Sequence, residues 1–229
     1  MRHIKLLSMI LGLTLLLSAC GNPVKAKLHT TNNGFNAQII GKTKQKKVYW
    51  QIGDTVHATK TTDGKFTFEV PYKAKQYRVT LADNKQLNKP TYVEGPTAKS
   101  IIHWSDFIQL YNPIARQKGL GVFEATTLEG IRTDQIDRNT MIAMNVSDSK
   151  ILGISIKALA ADKNQTFKNY CFAFITSIGT KPARITTLVD RSLKQPGSLI
   201  QLTDHQVRYT VMTTKHNKHQ ITQLSITQP

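Results

Sequence analysis

Two cysteines, seven histidines and fourteen carboxylates are the side chains of this sequence best suited to nucleophilic, metal-binding or acid–base chemistry. Such chemistry needs a group activated by close neighbours, which spacing can reveal. The chain has no Gly-x-Ser-x-Gly, no His-Glu-x-x-His and no phosphate-cradling glycine loop. Cys171 sits in the apolar run Tyr170-Cys171-Phe172-Ala173-Phe174 and reads as a buried, inert thiol. His205, His216 and His219 lie close in sequence, and the last two flank a polar turn where their rings could converge on zinc. Lys215 and Lys218 interleave them and put positive charge where the cation would bind, so no metal is expected. Asp134, Asp137 and Arg138 read as a solvated loop. Tyr49, Trp50, Tyr72 and Tyr77 lie near lysines and could stack on a sugar, but strand alternation sends Tyr49 and Trp50 to opposite faces, so at least one belongs to a core. No catalytic residue, cofactor site or metal ligand is singled out.

The remaining cysteine stands in a different context. Arg2, His3 and Lys5 precede an apolar run from Leu6 to Leu17, which leads into Leu17-Ser18-Ala19-Cys20-Gly21. A cationic end, a short apolar stretch and small residues are the pattern of an export signal. The run is shorter than the roughly 20 residues a membrane-spanning helix needs. Its last residues resemble the lipobox of bacterial lipoproteins. The resemblance implies that a signal peptidase recognises Leu17, Ser18, Ala19 and Cys20, that residues 1–19 are removed, and that the Cys20 thiol carries a diacylglyceryl group holding the chain at the outer face of the cell membrane. Acyl burial contributes about 0.8 kcal/mol per CH₂, so two chains on one glyceryl group make a durable anchor. Residues 20–27 then read as a tether; the seven after Cys20 reach roughly 25 Å at about 3.5 Å each.

Composition fits a folded exported domain, with 40% hydrophobic and 20% charged residues. The formal charge is +17, and losing Arg2 and Lys5 with the signal leaves +15. Polyanionic partners are therefore favoured: anionic envelope polymers such as teichoic acids, lipid headgroups or acidic polysaccharide. Nucleic acid is not expected outside the membrane. The bland alternative is a basic surface that only maintains solubility.

The elements that would display these groups form a mixed fold class: an N-terminal all-β domain over 28–93, then an α+β domain with an antiparallel sheet over 97–229. Alternating runs predict strands at 35–40, 47–52, 55–60, 65–70 and 76–81, with Asp63-Gly64 closing a hairpin between the third and fourth. The string Asp63 to Pro71, followed by Tyr77 to Asp83, resembles the later strands of bacterial immunoglobulin-like domains, which implies a sandwich acting as a spacer or adhesive module. Pro90, Gly95 and Pro96 mark a linker over 88–96. Beyond it, Trp104, Phe107, Ile108, Tyr111 and Ile114 predict a helix that Pro113 ends or kinks near Asn112.

Strands are then expected at 122–127, 140–146 and 151–159, the last two joined as a hairpin. A helix follows at 166–178, with further strands at 184–189 and 198–202. Residues 207–213 and 220–227 form a second hairpin. This order suggests two helix-plus-sheet repeats, 97–160 and 161–229, that could share one antiparallel sheet. It looks like the tandem repeats of the β-lactamase-inhibitor-protein-like class. The expected function is non-enzymatic binding at the cell envelope, to a polymer, headgroup or envelope protein. An envelope hydrolase with dispersed catalytic residues and a solute-binding lipoprotein are the alternatives.

Overall fold

The computed structural model describes residues 24–31, 33–126, 129–216 and 219–229; Cys20 and the signal lie outside them. The fold is mixed α+β and mostly antiparallel, with fourteen strands and three helices among the described residues. Two small sheets come first. One has the order β1-β2-β5, from Val24–His29, Asn36–Thr43 and Lys65–Pro71. The other has the order β4-β3-β6-β7, from Thr55–Lys60, Lys47–Ile52, Arg78–Ala82 and Thr91–Glu94.

Strict alternation along β5 buries Phe66, Phe68 and Val70 and exposes the residues between them, as a strand with one dry face requires. Trp50 of β3 stacks on Phe68 at 4.3 Å between centroids and on His57 at 4.2 Å, so the two sheets share apolar contacts. The hairpin expected at Asp63-Gly64 is corrected. The turn itself forms, with φ of 50° and 70° and the Thr62–Lys65 bridge closed, but β4 and β5 belong to different sheets. The tight turn sets only the local reversal: β5 sends Phe66, Phe68 and Val70 into the core and pairs with β2, whereas β4, which has no buried residue, pairs with β3.

The rest of the chain builds a six-strand antiparallel path, β12-β13-β14-β11-β10-β9, with β8 (Ile102–His103) pairing β11 beside it. The six strands are Leu199–Asp204, Val207–His216, His219–Thr227, Lys150–Leu159, Thr140–Ser147 and Gly130–Asp137, in path order. β11 and β14 pair in the middle, so three consecutive strands lie on each side of that seam. Ile142, Met144, Ile154, Ile156, Val211, Leu224 and Ile226 form the buried face.

Three helices supply the rest of this core. α1 (Trp104–Gln117) buries Trp104, Phe107, Tyr111 and Ala115, α2 (Gln165–Ser177) buries Phe167, Tyr170 and Phe174, and α3 (Pro182–Lys194) buries Ile185, Leu188 and Ser192. Phe107, Tyr111 and Phe174 have ring centroids 5.0–5.5 Å apart, a geometry in which aromatic pairs add to area burial. Asn164 caps α2 by accepting from the Phe167 amide at 2.9 Å.

Four expectations are corrected here. Pro113 does not end α1: the exposed proline forfeits one backbone hydrogen bond, while the buried stripe runs on to Ala115. Residues 184–189 are helical, because Pro182 starts the helix at its first turn and the apolar side chains repeat at helical spacing. Residues 122–126 form no strand. Instead Asn112 grips the Phe123 backbone in both directions, at 2.8 and 3.0 Å. Asp134 and Asp137 lie in strand β9, which carries charge as exposed edge strands commonly do, and Arg138 follows in the turn.

The described chain divides into two compact units. The first holds residues 24–27, 39–68 and 78–94; the second holds 28–38, 69–77 and 95–229. The expected linker at 88–96 contains one passage between them, and the earlier passages fall within or beside strands.

Candidate functional site

The second unit contains an open cleft of about 660 Å³. Its cationic groups come from three places. Lys99 lies on the strap leading to β8, Lys150 opens β11, and Arg208 stands on β13. Backbone bonds fix the strap: Ala98 donates to Lys73 at 3.1 Å and Ile101 donates to Ile151 at 2.7 Å. Lys150 is held in register opposite His103, and Arg208 opposite Thr227. Thr227 in turn faces Gly153 of β11, so Arg208, Thr227 and Gly153 form one row across the sheet.

Glycines make this row accessible to the chain above it. Gly34 has a φ of 74°, a left-handed value that suits glycine, and a Cβ placed on Gly153 would meet the Gly34 carbonyl oxygen at 2.9 Å. Asn145, buried beneath, donates from Nδ2 to Gly34 O at 2.8 Å and to Tyr72 O at 3.0 Å. The Ala74 amide donates to Ser147 Oγ at 3.3 Å. These bonds hold the 33–35 and 72–74 segments as the wall of the cleft.

Among the described residues no carboxylate, imidazole or thiol side chain lines the cleft; its polar side chains are Lys99, Lys150 and Arg208 with Tyr72, Thr97, Ser100, Thr227 and Gln228. Ammonium, guanidinium, hydroxyl and amide donors suit a phosphate or carboxylate ligand, and Arg offers a planar fork for two of its oxygens. Nearby, Lys75 pairs with Asp148 at 2.8 Å. That hydrogen bond, joined by the charges of Lys75, Lys150 and His103, holds the Asp148 carboxyl below the usual carboxylate range. The lining thus supports charge recognition.

Compared with protein-family models, curated proteins and solved structures, this chain matches none.

The residues singled out by sequence are dispersed. Cys171 is buried, and burial pushes its thiol far up, away from a reactive thiolate. His216 and His219 are backbone register partners at one end of the β13–β14 pair, whereas His205 precedes the opposite end of β13 and the ten-residue strand separates it from them by roughly 30 Å at about 3.3 Å per residue. No group of three metal-ligating side chains occurs among the described residues. Asp134 accepts from Arg132 at 2.9 Å, and Asp137 accepts from the Asn139 amide at 2.8 Å, so both serve local structure. Trp50 is engaged by His57, Phe68 and a 3.0 Å bond to Thr59, while Tyr72 is buried and Tyr77 lies under Lys73. Trp50, Tyr72 and Tyr77 are thus engaged within their own units, and Tyr49 is half-buried on β3.

The cleft residues escaped sequence reasoning because Lys99, Lys150 and Arg208 come from distant segments with no shared spacing. The net charge was the one signal pointing toward them.

Proposed function

We propose that this protein is a membrane-anchored, extracytoplasmic lipoprotein that binds an anionic component of the cell envelope without chemical turnover. Diacylglyceryl-modified Cys20 holds it to the outer membrane face; the tether expected over 20–27 shortens to the residues before Val24, because Val24–His29 form strand β1. The first β unit acts as an immunoglobulin-like spacer. The β9–β11 and β12–β14 groups, each with its helices, are the two repeats of the binding module.

The observation that carries this reading is the cleft formed by Lys99, Lys150 and Arg208, whose lining brings three cations together without a carboxylate side chain. A phosphate- or carboxylate-bearing polymer supplies the matching charge. Such an interaction weakens as the Debye length contracts from about 10 Å at 0.1 M to about 3 Å at 1 M ionic strength.

The test is co-sedimentation of the chain from Gly21 onward with wall fractions that retain their anionic polymer or have been stripped of it. The reading predicts binding to the first alone, with steep loss as salt rises. Equal binding to both, or no binding at low salt, contradicts it.

A further inference from the structure

One end of the first unit concentrates positive charge. The stretch from Lys42 to Lys47 and that from Lys60 to Lys65 contain six lysines and a single carboxylate, Asp63. The fold binds them side by side. Thr43 N donates to Gly64 O at 2.9 Å, Thr61 N to Lys46 O at 3.1 Å, and Thr61 Oγ1 to Gln45 O at 2.7 Å. Lys47 and Lys60 are direct cross-strand partners, a like-charge pairing that disfavours the sheet on its own. The six side chains are exposed, and no salt bridge among the described residues engages them.

Strand β1 adds Lys25 and Lys27. Together with Lys42 and Lys65 they surround a hollow of about 470 Å³ that includes Ile40 and Gly41 and is backed by Phe66. The Phe66 ring lies across Gly41, in space that any Cβ there would occupy. Clustered like charges repel, so this end of the unit gains free energy when an anionic surface covers it.

Chain position identifies that surface. Val24 is already fixed in the fold, its carbonyl accepting from Thr91 Oγ1 at 2.6 Å. Only three residues separate it from Cys20, a reach of roughly 14 Å at about 3.5 Å per step. A lipid on Cys20 therefore brings Lys25 and Lys27 close to the headgroup region. We infer that this lysine-rich end docks on anionic phospholipid headgroups and is a second membrane signal beside the lipid. The inference rests on the lipidated-Cys20 reading and concerns a surface separate from the cleft. Each lysine held near such a surface strengthens attachment about fivefold.

The experiment reconstitutes the full lipidated protein on phosphatidylglycerol or phosphatidylcholine vesicles and maps lysine acylation by mass spectrometry. At 0.1 M salt, Lys25, Lys27, Lys42 and Lys65 should react at least fivefold more slowly on phosphatidylglycerol, while Lys163 and Lys181 of the second unit react alike on both. Raising the salt to 1 M should remove the difference. Equal reactivity of the four lysines on the two vesicle types overturns the inference. Stronger protection by a dissolved glycerol-phosphate polymer than by phosphatidylglycerol also overturns it, in favour of polymer binding. The same spectra report the mass on Cys20: loss of the diacylglyceryl group overturns the lipidation reading as well, whereas an intact lipid with unprotected lysines overturns this inference alone.

Discussion

Asn145 and Gly34 are 111 residues apart, yet the buried Asn145 amide donates to the Gly34 carbonyl at 2.8 Å and fixes the wall of the basic cleft to the sheet. The same nitrogen reaches Tyr72 O at 3.0 Å. Replacing Asn145 with Leu leaves two carbonyls without their donor, and an unpaired buried group costs about 1–3 kcal/mol. Asn145→Leu should therefore lower stability by about 2–4 kcal/mol, read from the midpoint of urea unfolding. A change below about 0.5 kcal/mol would mean that the wall is held by other contacts.

Gly153→Ala tests the same contact from the other side. The new methyl would meet the Gly34 backbone at 2.9–3.2 Å, closer than ordinary van der Waals contact. Forced overpacking costs about 1–3 kcal/mol, and because Gly153 faces Thr227 the strain falls on the row that carries Arg208. The variant should unfold earlier and bind polyanion less tightly, as measured by urea titration and by co-sedimentation.

Much of the secondary structure follows from local pattern. Alternation in Lys65–Val70 specifies β5, the Trp104-Phe107-Tyr111 spacing specifies α1, and the polar Asp148-Ser149 turn, with φ of 56° and 57°, joins β10 to β11. The misread elements have two physical reasons: distant contacts overrode local preference in β9 and α1, and in 182–194 the Pro182 start signal outweighed the β-branched content. Charged β9 survives as a strand by pairing with β10; β-branched Ile185, Thr186 and Thr187 sit in a helix that starts at Pro182; and α1 passes Pro113 because its buried face continues. The cleft was less legible still. Lys150 and Arg208 come together only through the β11–β14–β13 pairings, which no short window contains.

The Cys171 thiol should be inert in the folded protein. Burial raises its pKa, so almost no thiolate forms at pH 8. Iodoacetamide should leave native protein unmodified over hours and alkylate it fully in denaturant. Rapid native alkylation would show that the α2 core opens readily.

The Lys75–Asp148 pair predicts a specific acid response. Because Lys75 depresses the folded-state Asp148 pKa, the pair's stabilising contribution is present above the ordinary carboxylate pKa of about 3.9 and disappears as the pH falls through the lower folded value. Both side chains are largely exposed, so the energetic effect is small. Carboxyl NMR should show Asp148 titrating below the usual range, and Lys75→Met should shift its midpoint upward. An unchanged midpoint would exclude Lys75 as the cause.

The most direct test of the proposed function is calorimetric titration of a short glycerol-phosphate oligomer into the native chain from Gly21 and into the Lys99→Gln, Lys150→Gln, Arg208→Gln variant. Charge-assisted hydrogen bonds contribute about 1.5–3 kcal/mol each, so removing three should weaken binding at least about a hundredfold while leaving the unfolding midpoint nearly unchanged. Affinity within twofold of native in a folded variant would contradict the assignment of the cleft as the binding site.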